Sequence, residues 1–307
     1  MAERIPPRPP SIPLASPGAA PLVARRRRYR LKVGGGELVL GERTLLMGIL
    51  NVTPDSFSDG GAWPDPASAV DRGLRLFEEG ADLVDVGGES TRPHGAARVT
   101  AQEELRRVLP VIRGLRSKGA RILSIDTTKA AVAEAALDAG ADMVNDVSGF
   151  AFDPEMAPLV ARKGVPAAVM HLRGDFESMH QEPRYGDVMG EVVLELQDAL
   201  RRGERAGVGP LQLIVDPGLG FAKAAPHSLE VLRRLGELTS LDRPVLVGPS
   251  RKSFIGKVLD LPVGERLMGT AAAVAACVLA GAHIVRVHDV RPMAQVARLC
   301  DAIRGEA

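Results

Sequence analysis

Residues 45–61 read Leu45-Leu-Met-Gly-Ile-Leu-Asn-Val-Thr-Pro-Asp-Ser-Phe-Ser-Asp-Gly-Gly61, an uncharged apolar run followed at once by a polar one. The first part, Leu45–Leu50, predicts a buried strand, and Pro54 with the glycine pair predicts a loop after it. Asn51 stands where the strand ends. Phe57 is a large ring among hydroxyl and carboxyl groups, which favours a loop that covers a substrate; a plain connection whose Phe57 packs on the core is the alternative.

The same change from apolar to polar recurs along the chain, and a helical pattern follows each apolar run. The predicted strands are Leu45–Leu50, Leu83–Val86, Ile122–Ile125, Met143–Val144, Ala167–Met170, Leu211–Val215, Pro244–Val247 and Ile284–Val287. The predicted helices cover about 66–80, 101–118, 129–139, 154–163, 187–206, 227–238, 262–281 and 290–304. Eight strand–helix pairs indicate an α/β fold, the TIM (β/α)8 barrel. A doubly wound open sheet usually has fewer strands and a glycine-rich phosphate loop after the first.

The N-terminal region is predicted to differ from the barrel. Residues 1–28 hold seven prolines and end in four arginines, so we predict a disordered Pro/Arg-rich leader over residues 1–29. Residues 30–43 alternate apolar and polar side chains around Gly34-Gly-Gly36, which predicts a short β-hairpin that closes the bottom of the barrel. Residues 30–307 are predicted to form a single domain.

Composition limits the classes of function. Hydrophobic residues make up 45% and charged residues 25% of the 307 residues, as in soluble globular proteins. Aromatic residues are only 3%, which argues against stacking on single-stranded nucleic acid. The net charge is +1, and residues 1–30 hold seven arginines and one glutamate, or +6, so the remainder carries −5. We therefore expect small-molecule substrates and no nucleic-acid partner.

The cellular setting is inferred from the cysteines and from apolar runs. Cys277 and Cys300 lie in apolar helical patterns and are expected to be reduced core thiols. The sequence contains no apolar run of 18 residues and no signal-peptide core, so we expect no membrane association and a cytoplasmic location.

Polar side chains are expected just past all eight strands and not inside them. A barrel places its active site at this rim, because the carboxyl ends of the parallel strands meet there. The rim residues are Asn51, Gly87-Gly-Glu-Ser-Thr-Arg-Pro93, Asp126-Thr-Thr128, Asn145-Asp146, His171, Asp216-Pro-Gly-Leu-Gly-Phe-Ala-Lys223, Gly248-Pro-Ser-Arg-Lys-Ser253, and Arg286 with His288.

These residue types suit a flat polar heterocycle that carries an anionic group. Asp126, Asp216 and the Asn145 amide can pair with adjacent N–H and carbonyl groups of a ring. Arg286 can lie on the face of such a ring. Asn51, Arg92, Arg286 and His288 can together hold phosphate or pyrophosphate. Oxygen donors and phosphates suit Mg²⁺, bound largely through the substrate.

At these residues the sequence closely resembles the dihydropteroate synthases, a pterin-binding TIM-barrel family. The resemblance covers about residues 31–305. The matching segments are Asn51–Gly61, Gly87–Pro93, Ile125–Thr127, Asn145–Ser148, Met170-His171, Asp216–Lys223, Ser250–Phe254 and Arg286–Asp289, in the family's order. Two features depart from the family pattern: His94 lengthens the second loop by one residue, and the basic leader has no counterpart in the family core.

The resemblance implies a reaction of folate synthesis, a substrate grouping and a partner. The reaction is condensation of 6-hydroxymethyl-7,8-dihydropterin pyrophosphate with p-aminobenzoate. The implied pterin residues are Asp126, Asn145, Asp216, Lys252 and Arg286; the pyrophosphate residues are Asn51, Thr91, Arg92, Arg286 and His288; and the p-aminobenzoate residues, where sulfonamides compete, are Phe57, Pro93, Phe221, Lys223 and Ser253. Asn51, Asp126, Lys252 and Arg286 are the implied catalytic set, with Asn51 also contacting Mg²⁺. The family is commonly dimeric, so a homodimer is expected.

Two other functions are considered. A methyltetrahydrofolate:corrinoid methyltransferase would share the Asp/Asn pterin contacts but needs neither Phe57, Ser253 nor a pyrophosphate site. A catalytically silent paralogue would be expected to lose residues of the first two loops. Pyrophosphate release with both substrates and Mg²⁺ separates these alternatives.

Overall fold

The structure is a computed structural model, and it describes residues 23, 26–34, 36–53, 65–89, 99–175 and 184–305. The strands are β1 (Tyr29–Val33), β2 (Gly36–Leu40), β3 (Leu45–Asn51), β4 (Leu83–Gly87), β5 (Ile122–Asp126), β6 (Met143–Asp146), β7 (Ala167–Met170), β8 (Leu213–Asp216), β9 (Leu246–Val247) and β10 (Ile284–Val287). The helices are α1 (Pro66–Glu78), α2 (Ala101–Ser117), α3 (Ala130–Asp138), α4 (Met156–Lys163), α5 (Val188–Arg205), α6 (Ala225–Arg233), α7 (Ser253–Leu259), α8 (Leu267–Leu279) and α9 (Val290–Arg304).

Strands β3 to β10 form one parallel sheet in the order β8-β7-β6-β5-β4-β3-β10-β9. A parallel bridge between Val215 and Val245 joins its two edges, where Val215 also donates to the Pro244 carbonyl at 2.9 Å. The sheet is therefore a closed barrel with helices around it, and the predicted TIM-barrel fold is confirmed. Because the strands are parallel, their carboxyl ends lie on one rim.

The ends of the helices have local causes in the sequence. Asp65 caps α1 by accepting from Ala67 N, and Pro66 occupies the first turn, where its missing N–H needs no partner. Thr100 caps α2 through Glu103 N. Gly164 ends α4 in the left-handed region at φ 65°, which a residue without Cβ adopts readily.

The predicted N-terminal hairpin is confirmed as β1 and β2, which pair antiparallel. Leu31, Val33, Leu38 and Leu40 are buried against the amino-terminal halves of the barrel strands. The strand residues in this cluster are Leu45, Met47, Leu83, Met143, Ala168, Ile214, Leu246 and Ile284. The hairpin thus covers the barrel end opposite the rim of strand carboxyl ends.

The structure corrects the predicted leader at residues 26–29. Residues 1–22, 24 and 25 lie outside the described residues, but Arg26 is buried and Tyr29 begins β1. Arg26 Nη2 donates to Thr44 Oγ1 at 2.9 Å and to Asp301 Oδ1 at 3.2 Å. A buried arginine needs such partners, and the sequence could not show that Asp301 supplies one. The folded domain therefore includes residues 26–29, which we had assigned to the leader.

Three further features complete the fold. Helix α7 was not predicted, because its residues were assigned to the loop after the seventh barrel strand. Cys277 and Cys300 are buried and unbonded, as expected. Among the helices of the described residues, none combines the length and the apolar character that crossing a membrane requires.

Candidate active site

Predicted site residues from six barrel strands line one cavity of about 450 Å³ at the rim of strand carboxyl ends. Those that line it are Asn51, Asp126, Asn145, Asp216, Phe221, Lys252, Ser253, Arg286 and His288. Asn51, Asp126 and Asp216 are the last residues of their strands, so the backbone of the barrel fixes where their side chains start. Residues separated by more than 200 positions in the chain therefore share one cavity.

A buried ionic cluster forms the floor of the cavity. Arg286 donates from Nε to Asp85 Oδ2 at 2.6 Å and from Nη2 to Asp126 Oδ2 at 2.7 Å. Asn145 Nδ2 donates to the same Asp85 oxygen at 2.9 Å. Burial raises the pKa of Asp126, and the Arg286 cation opposes that rise. The cluster holds the Arg286 guanidinium by its edges and fixes the Asn145 amide.

Asp85 is the residue that sequence reasoning missed. We expected the strand interiors to hold no polar side chains, and this is wrong: Asp85 lies in the middle of β4 and Ser124 inside β5, both fully buried. Arg286 also lies within β10 and not beyond it. The available signal was a carboxylate in the apolar run Leu83-Val-Asp-Val-Gly87, because a buried charge needs a partner.

We expect Asp85→Asn to lower the free energy of unfolding by about 1–3 kcal/mol, because Arg286 loses one of two buried carboxylate partners. Urea denaturation followed by circular dichroism measures the change. Asp71→Asn is the matched control, since Asp71 pairs with Lys118 at 3.2 Å on the exposed surface, where such pairs contribute at most about 1 kcal/mol. Equal, small changes in the two variants would show that the floor cluster does not depend on Asp85.

The Asp216–Lys223 loop forms one wall of the cavity. Asp216 Oδ1 accepts from Gly218 N at 2.7 Å, which folds the loop back over the strand end. Gly218 has φ +67°, and a Cβ there would lie 2.2 Å from the His171 carbonyl oxygen, so this turn requires glycine. Burial raises the pKa of Asp216 to about 6.

Phe221 and Lys252 meet at this wall. Lys252 Nζ lies 4.0 Å from the centroid of the Phe221 ring, a cation–π distance. Burial lowers the pKa of Lys252 to about 8, although Asp216 favours the cation. Lys252 directly precedes α7, whose first residue is Ser253. The short unpredicted helix therefore places Lys252 and Ser253 at the cavity.

Asn51, Ser250 and His288 also line the cavity and are groups suited to an anion. Ser250 Oγ lies 2.9 Å from His288 Nδ1 and also accepts from His288 N at 3.2 Å. Asn51 Oδ1 lies close to Gly87, beside Asp126. Glu89 also lines the cavity and contacts Lys129 Nζ at 2.5 Å, and the same amine contacts Glu104 at 2.6 Å.

Among the predicted site residues that the structure describes, Lys223 is the one that does not line this cavity. It is buried behind the loop wall, with Nζ 2.7 Å from His171 Nδ1. Burial lowers the pKa of Lys223 to about 7. Phe57, Thr91, Arg92 and Pro93 lie outside the described residues, as does the His94 insertion.

The chain that forms this cavity matches a known protein family. The family model described as "Pterin binding enzyme" matches residues 47–288. A dihydropteroate synthase of Synechocystis is 47% identical over 274 residues, which are 89% of this chain and 94% of that protein. The chain belongs to the dihydropteroate synthases. It is therefore an enzyme, a transferase of folate biosynthesis.

Solved dihydropteroate synthases share the fold. The Xanthomonas albilineans enzyme with 4-aminobenzoic acid matches with a TM-score of 0.84 and 42% identity, covering 91% of this chain and 99% of that one. The Yersinia pestis enzyme in a sulfonamide drug complex matches with a TM-score of 0.85 and 39% identity, covering 91% of this chain and 100% of that one.

Proposed function

We propose that this cavity condenses 6-hydroxymethyl-7,8-dihydropterin pyrophosphate with p-aminobenzoate, giving 7,8-dihydropteroate and pyrophosphate. The observation that carries the proposal is the set of groups that line one cavity. Carboxylates with an amide, an aromatic ring beside a lysine, and Asn51 with His288 all line it. These three sets match a fused-ring heterocycle, an arylamine and a diphosphate, respectively.

The floor and the start of the Asp216–Lys223 wall supply the contacts for the pterin. Asp216 is buried and, as a carboxylate, offers two acceptor oxygens to adjacent N–H groups of the ring. Asn145 keeps its amide oxygen for a ring donor, because its Nδ2 is already committed to Asp85. The Arg286 guanidinium is fixed between two carboxylates, so binding does not require it to reorganise.

The proposed pyrophosphate site lies beside Asn51 and His288, and we propose Mg²⁺ as the cofactor. The described residues hold no group of three or more His, Cys, Asp or Glu side chains that could bind a metal. This donor set fits Mg²⁺, which commonly keeps waters and binds through one or two protein oxygens plus substrate phosphates. Asn51 would hold it, and the ion would stabilise charge on departing pyrophosphate. A magnesium titration of activity in Asn51→Ala should then shift to higher concentrations.

We propose a dissociative substitution. The bond between the exocyclic carbon and the pyrophosphate oxygen breaks first, and pyrophosphate leaves with the electron pair. The carboxylate form of Asp126 stabilises the resulting pterin methylene cation, and Arg286 favours that form against burial, which raises the pKa of Asp126. The neutral arylamine nitrogen then forms the C–N bond and releases a proton to water. Closure of segments 51–61 and 87–100 over the cation stays a prediction, because most of those residues are not described.

Phe221, Lys252 and Ser253 are the described groups available to p-aminobenzoate. Phe221 offers a ring face, and the Lys252 cation lies next to it. The same surface should accept sulfonamides, which present a similar arylamine, and the Yersinia pestis relative is described in complex with one. Sulfonamide inhibition should therefore be competitive with p-aminobenzoate.

The test of the proposed function is pyrophosphate release measured with both substrates and Mg²⁺, alongside chromatographic detection of dihydropteroate. Each substrate alone is the control. Stoichiometric formation of both products is expected. Pterin binding without pyrophosphate release would contradict the proposal and favour a silent pterin-binding protein.

The pH dependence of pterin binding should depend on Asp216. Its pKa is about 6, so the carboxylate predominates above that value and the protonated form, with one acceptor lost, predominates below it. We expect affinity for 6-hydroxymethylpterin to be about tenfold lower at pH 5 than at pH 7. Calorimetric titration from pH 5 to pH 8 measures it. Asp216→Asn cannot titrate at this position, so its weaker binding should depend less on pH, leaving a contribution from Asp126, whose pKa burial raises to about 7; a pH dependence equal to that of wild type would assign the titration elsewhere.

We also propose that the enzyme is a cytoplasmic homodimer. Helices α7, α8 and α9 and the turn before α8 carry neighbouring exposed hydrophobic side chains: Val258, Leu259, Val263, Leu267, Met268, Leu299 and Ile303. Such a surface is typical of a subunit interface. Met268→Glu should shift the mass in light scattering to that of a monomer, whereas Leu194→Glu on α5, which is also exposed, should not. The unbonded cysteines support a reducing compartment, and cell fractionation tests the location.

A further inference from the structure

The back of the Asp216–Lys223 wall, facing away from the cavity, is held by a polar network that the reaction itself does not use. Its members are Lys223, His171, Glu195, Arg173 and Tyr185, which come from the wall loop, the end of β7, helix α5 and the segment before it. Lys223 and His171 are buried. Buried polar groups of this kind are retained where they fix a conformation, because each must find a partner.

Lys223 donates hydrogen bonds to the backbone of its own loop. Its Nζ lies 3.2 Å from the Gly218 carbonyl oxygen and 3.1 Å from that of Phe221, and it donates to both. Burial and the nearby Lys223 cation lower the pKa of His171 to about 4, so this imidazole is neutral and Nδ1 can accept the third proton. The ammonium form thus uses all three donors, two of them on carbonyls that flank the turn.

A second set of contacts holds the same turn from the side of helix α5. Tyr185 donates from its hydroxyl to the Ala222 carbonyl at 2.8 Å. The Arg173 guanidinium lies 4.1 Å from the centroid of the Tyr185 ring and pairs with Glu195 and Glu191 on α5. His171 Nε2 lies 3.0 Å from Glu195 Oε2, a close contact outside good hydrogen-bond alignment. Both sets of contacts therefore connect the turn to helix α5.

The turn that these contacts hold is strained. Ala222 has φ +46°, in the left-handed region that a residue with a Cβ adopts at a cost of about 1–2 kcal/mol. A strained residue persists only when its surroundings determine its conformation. Here the carbonyls of the two peptides that flank the Ala222 Cα, at Phe221 and at Ala222, accept from the Lys223 ammonium and the Tyr185 hydroxyl, respectively. The strained residue and its restraints directly follow Phe221, whose ring lines the cavity.

We propose that Lys223 and Tyr185 are positioning residues that hold the Phe221 ring in place for the arylamine substrate. This proposal rests on the proposed function. It replaces direct contact between Lys223 and p-aminobenzoate by an indirect role through the backbone. Of the proposed pterin residues, Asp126, Asn145 and Arg286 belong to other strands, and Asp216 ends β8, where the barrel backbone fixes it. The network should therefore control affinity for the arylamine and change affinity for the pterin little. A network that only stabilised the fold would affect both equally.

The decisive variant is Tyr185→Phe, which removes one hydroxyl and keeps the ring against Arg173. We expect the KM for p-aminobenzoate to rise about fivefold, as for one lost hydrogen bond, with kcat and the KM for the pterin substrate within about twofold of wild type. Lys223→Met, which removes both carbonyl contacts, should raise the same KM at least about tenfold. Tyr29→Phe is the matched control, because its hydroxyl contacts Asp242, on a different part of the molecule, at 3.3 Å. Assays at about pH 6.5 keep the Lys223 ammonium form.

A binding measurement separates this proposal from the proposed function. Calorimetry gives the affinities for 6-hydroxymethylpterin, which lacks the arylamine, and for dihydropteroate, which contains it. The affinity for dihydropteroate divided by the affinity for 6-hydroxymethylpterin should fall in Tyr185→Phe and stay at the wild-type value in Tyr29→Phe. This result is expected even if the wild-type chain forms no product. An unchanged ratio, or an equal loss for both ligands, would overturn the positioning role. If Lys223→Met does not fold, Tyr185→Phe alone decides.

Discussion

Asp216→Ala is expected to weaken pterin binding by about 10²–10³-fold, as the loss of two hydrogen bonds to a buried charged acceptor predicts. The carboxylate is buried at the end of β8 and is the proposed acceptor for adjacent ring N–H groups. It also holds Gly218 N, so its removal loosens the wall loop. Calorimetric titration with 6-hydroxymethylpterin measures the loss, and a thermal melt confirms that the variant is folded.

Asp216→Asn is the matched control for that experiment. Its Oδ1 can still accept from Gly218 N, but its amide places a donor where the pterin also donates. Binding should therefore be nearly as weak as in the alanine variant, while the melting temperature stays closer to that of wild type. Unchanged pterin affinity in a folded alanine variant would remove Asp216 from the pterin site.

Arg286→Met is expected to lower the free energy of unfolding by about 3–5 kcal/mol at pH 8 and to abolish turnover, because it leaves Asp85 and Asp126 without their shared cation. Arg286 opposes the rise in the pKa of Asp126 that burial causes, so its loss raises that pKa further. A carboxyl group whose pKa is higher in the folded state than in the unfolded state does not lower the free energy of unfolding while it is protonated in both states. It lowers that free energy as the pH rises from the unfolded pKa up to the folded pKa. The loss should thus be smaller at pH 5 than at pH 8.

Lys252→Met is the control for Arg286→Met. Within the described ranges, no carboxylate lies within 4.0 Å of Lys252 Nζ, so its removal breaks no direct ion pair. We expect a change of less than about 1 kcal/mol in unfolding free energy but a large loss of turnover. Denaturant titrations at pH 5 and pH 8 measure both variants. Equal destabilisation of the two, or a loss in Arg286→Met that does not depend on pH, would contradict the ionic-cluster account.

The sequence predicted the elements whose signal is local. The eight barrel strands and the hairpin were found because a buried strand is an apolar run bounded by turn residues. Strand ends such as Asn51 and Asp216 were recognised because a polar residue directly follows an apolar run. Once the parallel topology was inferred, their convergence followed, since parallel strands share one rim.

The features that could not be predicted depend on contacts between distant segments. Asp85 is a site residue because Arg286, 201 positions away, lies within 2.6 Å of it. Arg26 resembled part of a solvated arginine run until Asp301 was found beside it. Lys223 follows Phe221 by two residues, so family likeness placed both at the substrate, whereas the turn at Ala222 sends their side chains to opposite sides of the wall. Helix α7 is only seven residues long, too short for a periodic signal.

The hairpin of β1 and β2 affects where substrates enter the enzyme and where products leave it. It covers the barrel end opposite the active site with Leu31, Val33, Leu38 and Leu40, so in the part of the chain that the structure describes, reactants and products enter and leave at the rim of strand carboxyl ends. Pyrophosphate must therefore depart at the same rim where the arylamine enters. Accumulating dihydropteroate should consequently obstruct both incoming molecules at once, giving end-product inhibition that neither reactant alone relieves.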